Sequence, residues 1–207
     1  MTDSREIVLV ASLLASRLCH DLVNPVGALN TGIEVLDGEQ DAEMREHAMS
    51  LIRESTQKTV ALLTFARSAF GASGSWEGQI EMREARELAE GFYAHVKAEL
   101  DWQVSEPALD KPMARVLLNL LLIAERCVPR AGSQVTAEAG PDRVQVTARG
   151  RRAKLGEDLS AALGRRLDDL EAKASPAYLA ALLMEAIGGS ITAEQADEET
   201  VVFTAQR

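Results

Sequence analysis

An imidazole, a carboxylate and an amide stand close together near the start of this chain: His20, Asp21 and Asn24, the last followed by Pro25. A neutral imidazole is nucleophilic near neutral pH, and an adjacent carboxylate can fix which ring nitrogen keeps the proton. Arg17 precedes them by about one helical turn, so a guanidinium is at hand to screen an anionic group held there. Metal binding would need further ligands, and His47 and His95 fall on separate expected elements with no ligand spacing. A serine hydrolase would need a nucleophile elbow, and no G-x-S-x-G occurs. Nucleophilic chemistry by the imidazole itself remains, such as accepting a phosphoryl group on one nitrogen; the competing reading is a structural histidine.

For that chemistry the ring must reach solvent, and the flanking residues predict that it does. Residues 4–36 read as one helix, with Asp3 or Ser4 capping its first turn and Asp37-Gly38 closing it. Val8, Ala11, Ala15, Leu18, Leu22, Pro25, Leu29, Gly32 and Leu36 recur at alternating steps of three and four, the spacing of a bundle seam. Pro25 within the seam predicts a kink. His20 then points directly away from the seam. Leu13, Gly27 and Glu34 share its stripe, and Arg17, Asn24 and Thr31 lie beside it. Val10 and Leu13 put apolar surface on this outer face, which marks a place for a docked partner. Val10, Leu13, Arg17, Gly27 and Thr31 are therefore the expected partner contacts, and Cys19 is expected on the bundle flank.

The elements beyond must hold this helix in place. After a Gly38-Glu39-Gln40 turn, a second amphipathic helix is expected over residues 41–70, giving an αα-hairpin. One hairpin cannot bury both faces of two such helices, so two copies are expected to meet as a homodimeric four-helix bundle. Gly71-Ala72-Ser73-Gly74-Ser75 reads as a linker, dividing a hairpin domain at 1–72 from a second domain at 76–207. There the pattern predicts helices over 82–97, 112–127, 158–163 and 176–187, and strands over 100–104, 134–139, 143–149, 190–194 and 200–205. The expected class is α+β: a helical hairpin followed by helices layered on an antiparallel-rich sheet. Trp76 is expected to anchor the domain junction and Trp102 the strand core.

Composition restricts the partners. Of 207 residues, 46% are hydrophobic and 26% charged, with a net charge of −10, an ordinary globular balance. Such an acidic chain repels nucleic-acid phosphates and anionic lipid, so protein partners are expected, without nucleic acid or membrane. Two distant cysteines, Cys19 and Cys127, suit a reducing compartment. With no signal peptide at the start and no apolar run approaching a membrane span, the expected location is the cytoplasm.

His20-Asp21-Leu22-Val23-Asn24-Pro25 resembles the phosphoacceptor motif of sensor histidine kinases, His-[Glu/Asp]-x-x-[Asn/Thr]-Pro, on the first helix of a dimerising hairpin. The resemblance implies that His20 is phosphorylated, that Asp21 is its acid–base neighbour, and that Asn24 is a polar helper. The second domain resembles the ATP-binding domain of these kinases but departs from it in three places. Asn119-Leu120-Leu121-Leu122-Ile123-Ala124 puts Ile where the family's second Asn holds magnesium, and an aliphatic side chain cannot ligate it. Ala148-Arg149-Gly150-Arg151-Arg152 lacks the adenine-reading Asp, and Ser175-Pro176-Ala177-Tyr178-Leu179 replaces the glycine-rich lid. The Gly188-Gly189 ending survives, so a degenerate ATPase-like fold without ATP use is expected.

Over nearly its whole length the chain resembles the alphaproteobacterial ChpT family of histidine phosphotransferases, notably in Arg17-Leu18-Cys19-His20-Asp21 and Ala69-Phe70-Gly71-Ala72. The resemblance implies a relay. The receiver domain of a hybrid histidine kinase donates phosphate to His20, which passes it to receivers of response regulators that control the cell cycle. The receiver supplies the Mg2+, and the protein itself has no metal or cofactor site. The basic run Arg149, Arg151, Arg152 and Lys154 is either a solvated loop or a contact to an acidic receiver. The alternative function is a non-catalytic dimeric scaffold or kinase inhibitor.

Overall fold

A computed structural model describes residues 4–38, 41–71 and 75–207. Helix α1 runs over Ser4–Gly38 and continues through Pro25, and helix α2 runs over Ala42–Phe70. Asp41 caps α2 by accepting hydrogen bonds from the backbone N–H groups of Glu43 and Met44 at 3.0 and 3.1 Å. Gly71 ends α2 in the left-handed conformation, at φ 79°. The hairpin is closely packed at Gly32, where a Cβ would stand 2.6 Å from Ile52 Cγ1 and 3.2 Å from the Ala48 carbonyl. Most of the expected turn, and the middle of the expected linker at 72–74, lie outside the described residues.

The second part is α+β. A five-stranded sheet has the order β2(Glu99–Trp102), β4(Gln134–Ala139), β5(Arg143–Arg149), β7(Thr200–Gln206), β6(Ser190–Asp197). Only β2 and β4 pair in parallel, and the rest of the sheet is antiparallel. Alternate residues Val144, Val146 and Ala148 of β5, and Val201, Phe203 and Ala205 of β7, are fully buried under helix α4(Lys111–Cys127) and helix α6(Ser175–Ala186). Asp110 caps α4 with Pro112 in its first turn. Every α4 residue from Pro112 to Ala124 except Arg115 is buried, because the helix packs on the sheet, on α6 and on the hairpin together.

Several expectations are corrected here. Helix α3(Met82–Tyr93) stops four residues before the expected end, because His95 and Val96 donate to the carbonyls three residues back and the chain turns towards β2. Two short strands, β1(Gln79–Glu81) and β3(Ala108–Asp110), pair antiparallel; at three residues each they are too short for alternation to reveal. Trp76 is 48% exposed and anchors no junction, whereas Trp102 packs partly buried against the core. A short helix α5(Glu157–Leu163) lies near the expected place.

Val10 is not a docking contact. It is 4% exposed and belongs to the core. The antiparallel register set by Gly32 ends α2 opposite about Ser12 of α1. The first turns of α1 therefore lean on α6 and the 3-10 turn Ala172–Ala174 of the second domain. The seam is also shorter than expected: Leu18, Leu22, Pro25, Leu29 and Gly32 are covered in whole or part, while Val8, Ala11 and Ala15 stay exposed.

Candidate phosphoacceptor site

With about 100° between successive residues, α1 has three working faces. Leu18, Leu22, Pro25, Leu29 and Gly32 turn to α2. Glu6, Val10 and Arg17 turn to the second domain: Glu6 accepts from Tyr178 Oη and Arg165 Nη2, both at 2.5 Å, and Arg17 Nη1 donates to the Lys173 carbonyl at 3.3 Å. Val8, Ala15, Cys19, Val23, Val26 and Ile33 form an exposed, mostly apolar third face. His20 lies at the boundary of the last two, and its side chain is 82% exposed.

The exposed ring is held by a half-buried partner. Nδ1 of His20 lies 3.2 Å from Asp21 Oδ1, and the other oxygen, Oδ2, takes Arg17 Nε at 2.5 Å. The second domain thus reaches the imidazole through Lys173, Arg17 and Asp21. A proton on Nδ1 donates to Asp21, which leaves the lone pair on Nε2.

Beside the ring is a cavity of about 210 Å3 that draws residues from four helices or their ends. Pro25, Ala61, Leu62, Phe92 and Val96 supply its apolar part; Arg17, His20, Asp21, Asn24, Lys58, His95 and Glu125 supply the polar groups. Burial raises the Glu125 carboxyl above its usual range, partly offset by Arg17 and Arg126 and reinforced by Asp21.

Of the expected site residues, His20, Asp21, Asn24 and Arg17 come together at this cavity. Gly27 and Thr31 are exposed a turn or more beyond it, where Thr31 Oγ1 donates to the Gly27 carbonyl at 3.1 Å. Leu13 is half-buried. Lys58, His95 and Glu125 were not singled out by the sequence as neighbours of His20, because they arrive from α2, the end of α3 and α4. Glu125 does carry a trace, as the acid that ends the apolar run of α4. Among the described residues, no three His, Cys, Asp or Glu side chains cluster in a way that would hold a metal ion. No described helix is long and apolar enough to cross a membrane.

A helical hairpin bearing an exposed histidine, joined to a kinase-like α+β domain, defines a protein of the histidine-kinase and phosphotransferase class. The family described as "Histidine phosphotransferase C-terminal domain" matches residues 82–199. Protein phosphotransferase ChpT of Brucella abortus (strain 2308) is 36% identical over 202 residues, 95% of each chain. A bacterial phosphotransferase of known structure superposes with a TM-score of 0.83 at 32% identity, covering 100% of this chain and 98% of that one. The histidine kinase ThkA, in its complex with the response regulator protein TrrA, shares the fold at a TM-score of 0.51 and 16% identity, covering 98% of this chain and 63% of that one. The chain belongs to the ChpT family of histidine phosphotransferases.

Proposed function

We propose that this phosphotransferase relays phosphoryl groups through His20, from the receiver domain of a hybrid histidine kinase to the receivers of response regulators, without using ATP. The observation that carries the reading is the His20 ring, 82% exposed and oriented by Asp21 at 3.2 Å. Nε2 attacks the phosphorus of a receiver's aspartyl phosphate, a P–N bond forms, and the acyl P–O bond breaks with its electron pair leaving on the aspartate. The Nδ1 proton stays against Asp21, whose charge stabilises the imidazolium as it forms. The same step run backwards loads the next receiver. Mg2+ comes with the receiver, so the main demand on this chain is a positioned, accessible nucleophile.

The packing of the second domain supports a relay without ATP. Ile123 and Ala148 are fully buried core residues, and Ser175, Pro176 and Tyr178 are buried where a flexible lid would have to open. The exposed apolar face of α1, with Met49, Val60 and Leu63 of α2 also exposed, supports a homodimeric bundle. Gly27 and Thr31 remain candidate receiver contacts.

Incubation with a 32P-labelled receiver tests the reading. Acid-labile label on His20, absent from His20→Gln and not obtained from ATP, is the expected result. A His20→Gln chain that still supports transfer between two receivers would instead assign a scaffold.

A further inference from the structure

We propose that Lys58 is the phosphoryl-binding cation of this site, neutralising the group carried on His20; the inference rests on the relay reading above. A phosphoryl group adds about −1.5 to −2 charge at neutral pH, and it arrives beside two carboxylates, Asp21 and Glu125. A cation is therefore needed, and the obvious ones are engaged. Arg17 is bound to Asp21 and the Lys173 carbonyl, and Arg126 to Asp158 and the same carbonyl. Lys58 lines the cavity with His20, and its ammonium has no hydrogen bond or ion pair among the described residues.

The hairpin register places it within reach. Gly32 packs on Ala48 and Ile52, so Lys58 stands across from about residues 22–26 of α1. That level is one helical turn from His20, about 6 Å along the axis, a span that a four-carbon side chain covers. Lys58 also lies on the side of α2 opposite to Met49, Val60 and Leu63, by the 100° step of the helix, so a bundle partner seated on those residues leaves it open. A flexible point charge suits a group that comes and goes. While His20 is empty the ammonium remains hydrated, and once the phosphoryl group is in place it screens the oxygens from the two carboxylates.

The test uses the full chain and a small donor, so that receiver docking does not enter. Potassium phosphoramidate is used to load His20, and 31P NMR follows the phosphoryl resonance against pH. In Lys58→Gln the apparent pKa of the phosphoryl group is expected to rise by about half a unit to one unit, and loading is expected to slow about five- to tenfold. Lys58→Arg is expected to restore both, with the circular-dichroism melt unchanged throughout. An identical titration and loading rate in Lys58→Gln would overturn the assignment, as would a defect confined to transfer from a receiver protein, which would make Lys58 a docking contact. If wild-type His20 takes no label from either phosphoramidate or a phosphorylated receiver, the relay reading itself falls, and the Lys58 role with it.

Discussion

Asn119 Nδ2 donates to the backbone carbonyl of Ala69 at 2.7 Å, so the buried helix of the second domain caps the end of the hairpin's second helix. The last carbonyls of a helix have no partner within it. Here Asn119 takes one and Arg115 Nη2 takes the next, on Phe70, at 3.0 Å. Gly71 fits this joint for two reasons: its φ is 79°, and a Cβ there would stand 2.3 Å from the Arg115 guanidinium carbon.

Asn119 is fully buried and also donates to the Arg115 carbonyl at 2.8 Å. Asn119→Ala removes the donor from the Ala69 carbonyl and the second donor from the Arg115 carbonyl, which keeps its helical N–H partner, and is expected to cost about 1–3 kcal/mol in urea unfolding. Asn119→Asp, equal in size, sets a carboxylate against two carbonyls and is expected to cost more. A variant as stable as wild type would remove Asn119 from the joint.

The other end of the hairpin is held by Glu6, which accepts from Tyr178 Oη and from Arg165, whose guanidinium carbon also stands 5.1 Å from the Tyr178 ring centroid. Tyr178→Phe leaves the buried ring in place but removes a hydrogen bond to a carboxylate, an expected loss of about 1.5–3 kcal/mol. A double-mutant cycle with Glu6→Gln should show a coupling of at least about 0.5 kcal/mol. Additive losses would mean that the contact contributes nothing to the docking of α1.

How much of this is legible in the sequence depends on the range of the interaction. The heptad spacing around Leu18, Leu22 and Leu29 and the position of His20 are local helical signals from which α1 follows, and Ala48, Ile52, Leu62 and Ala66 give α2 in the same way. The strands of the five-stranded sheet were legible for the same reason, since Val144, Val146 and Ala148 alternate. Val10 misled because an apolar residue off the seam looks the same whether a partner or the chain's own second domain covers it. Lys58, His95 and Glu125 meet His20 only through packing between elements far apart in sequence, and no local pattern encodes that meeting. Asn119 was visible as part of a kinase-like motif, but its use as a cap required the end of α2 beside it.

Asp21 bridges Arg17 and His20, and its loss should affect chemistry more than stability. Asp21→Asn keeps the size but loses the charge beside His20 Nδ1, to which the proposed relay gives the orientation of the ring and the stabilisation of the imidazolium. Transfer from a phosphorylated receiver to His20 is expected to slow by about 10²-fold or more, while the unfolding free energy changes by the small amount typical of an ion pair near the surface, about 1 kcal/mol or less. Rapid-quench transfer rates beside equilibrium unfolding separate the two, and equal rates would leave Asp21 without a role in orienting the nucleophile.

Glu125 predicts a pH dependence with a definite sign. Burial holds its carboxyl above the usual range in the folded chain, so the unfolded chain ionises first as pH rises and the folded state loses stability through that interval. Below the ordinary glutamate range both states are protonated and the cost vanishes. Glu125→Gln, which cannot ionise, is therefore expected to melt close to wild type at pH 4 and above it at pH 7.5. A gap that instead shrinks with rising pH would mean that Arg17 and Arg126 outweigh burial.

The exposed face of α1 carries the dimer proposal into a measurement. Val23 is 66% exposed, Val26 49% and Ile33 50%, an apolar surface that an isolated chain would leave in water. Val26 turns away from both α2 and the second domain, so a charge there leaves the fold of one chain intact and is felt only when two copies meet. Val26→Asp is expected to sediment as a monomer with an unchanged circular-dichroism spectrum, while wild type sediments as a dimer. His20 stands at the edge of this face, 82% exposed and held by Asp21 of its own chain, so the monomeric variant should still accept label from a phosphorylated receiver. If wild type is itself monomeric at micromolar concentration, something other than a second copy covers Val23, Val26 and Ile33.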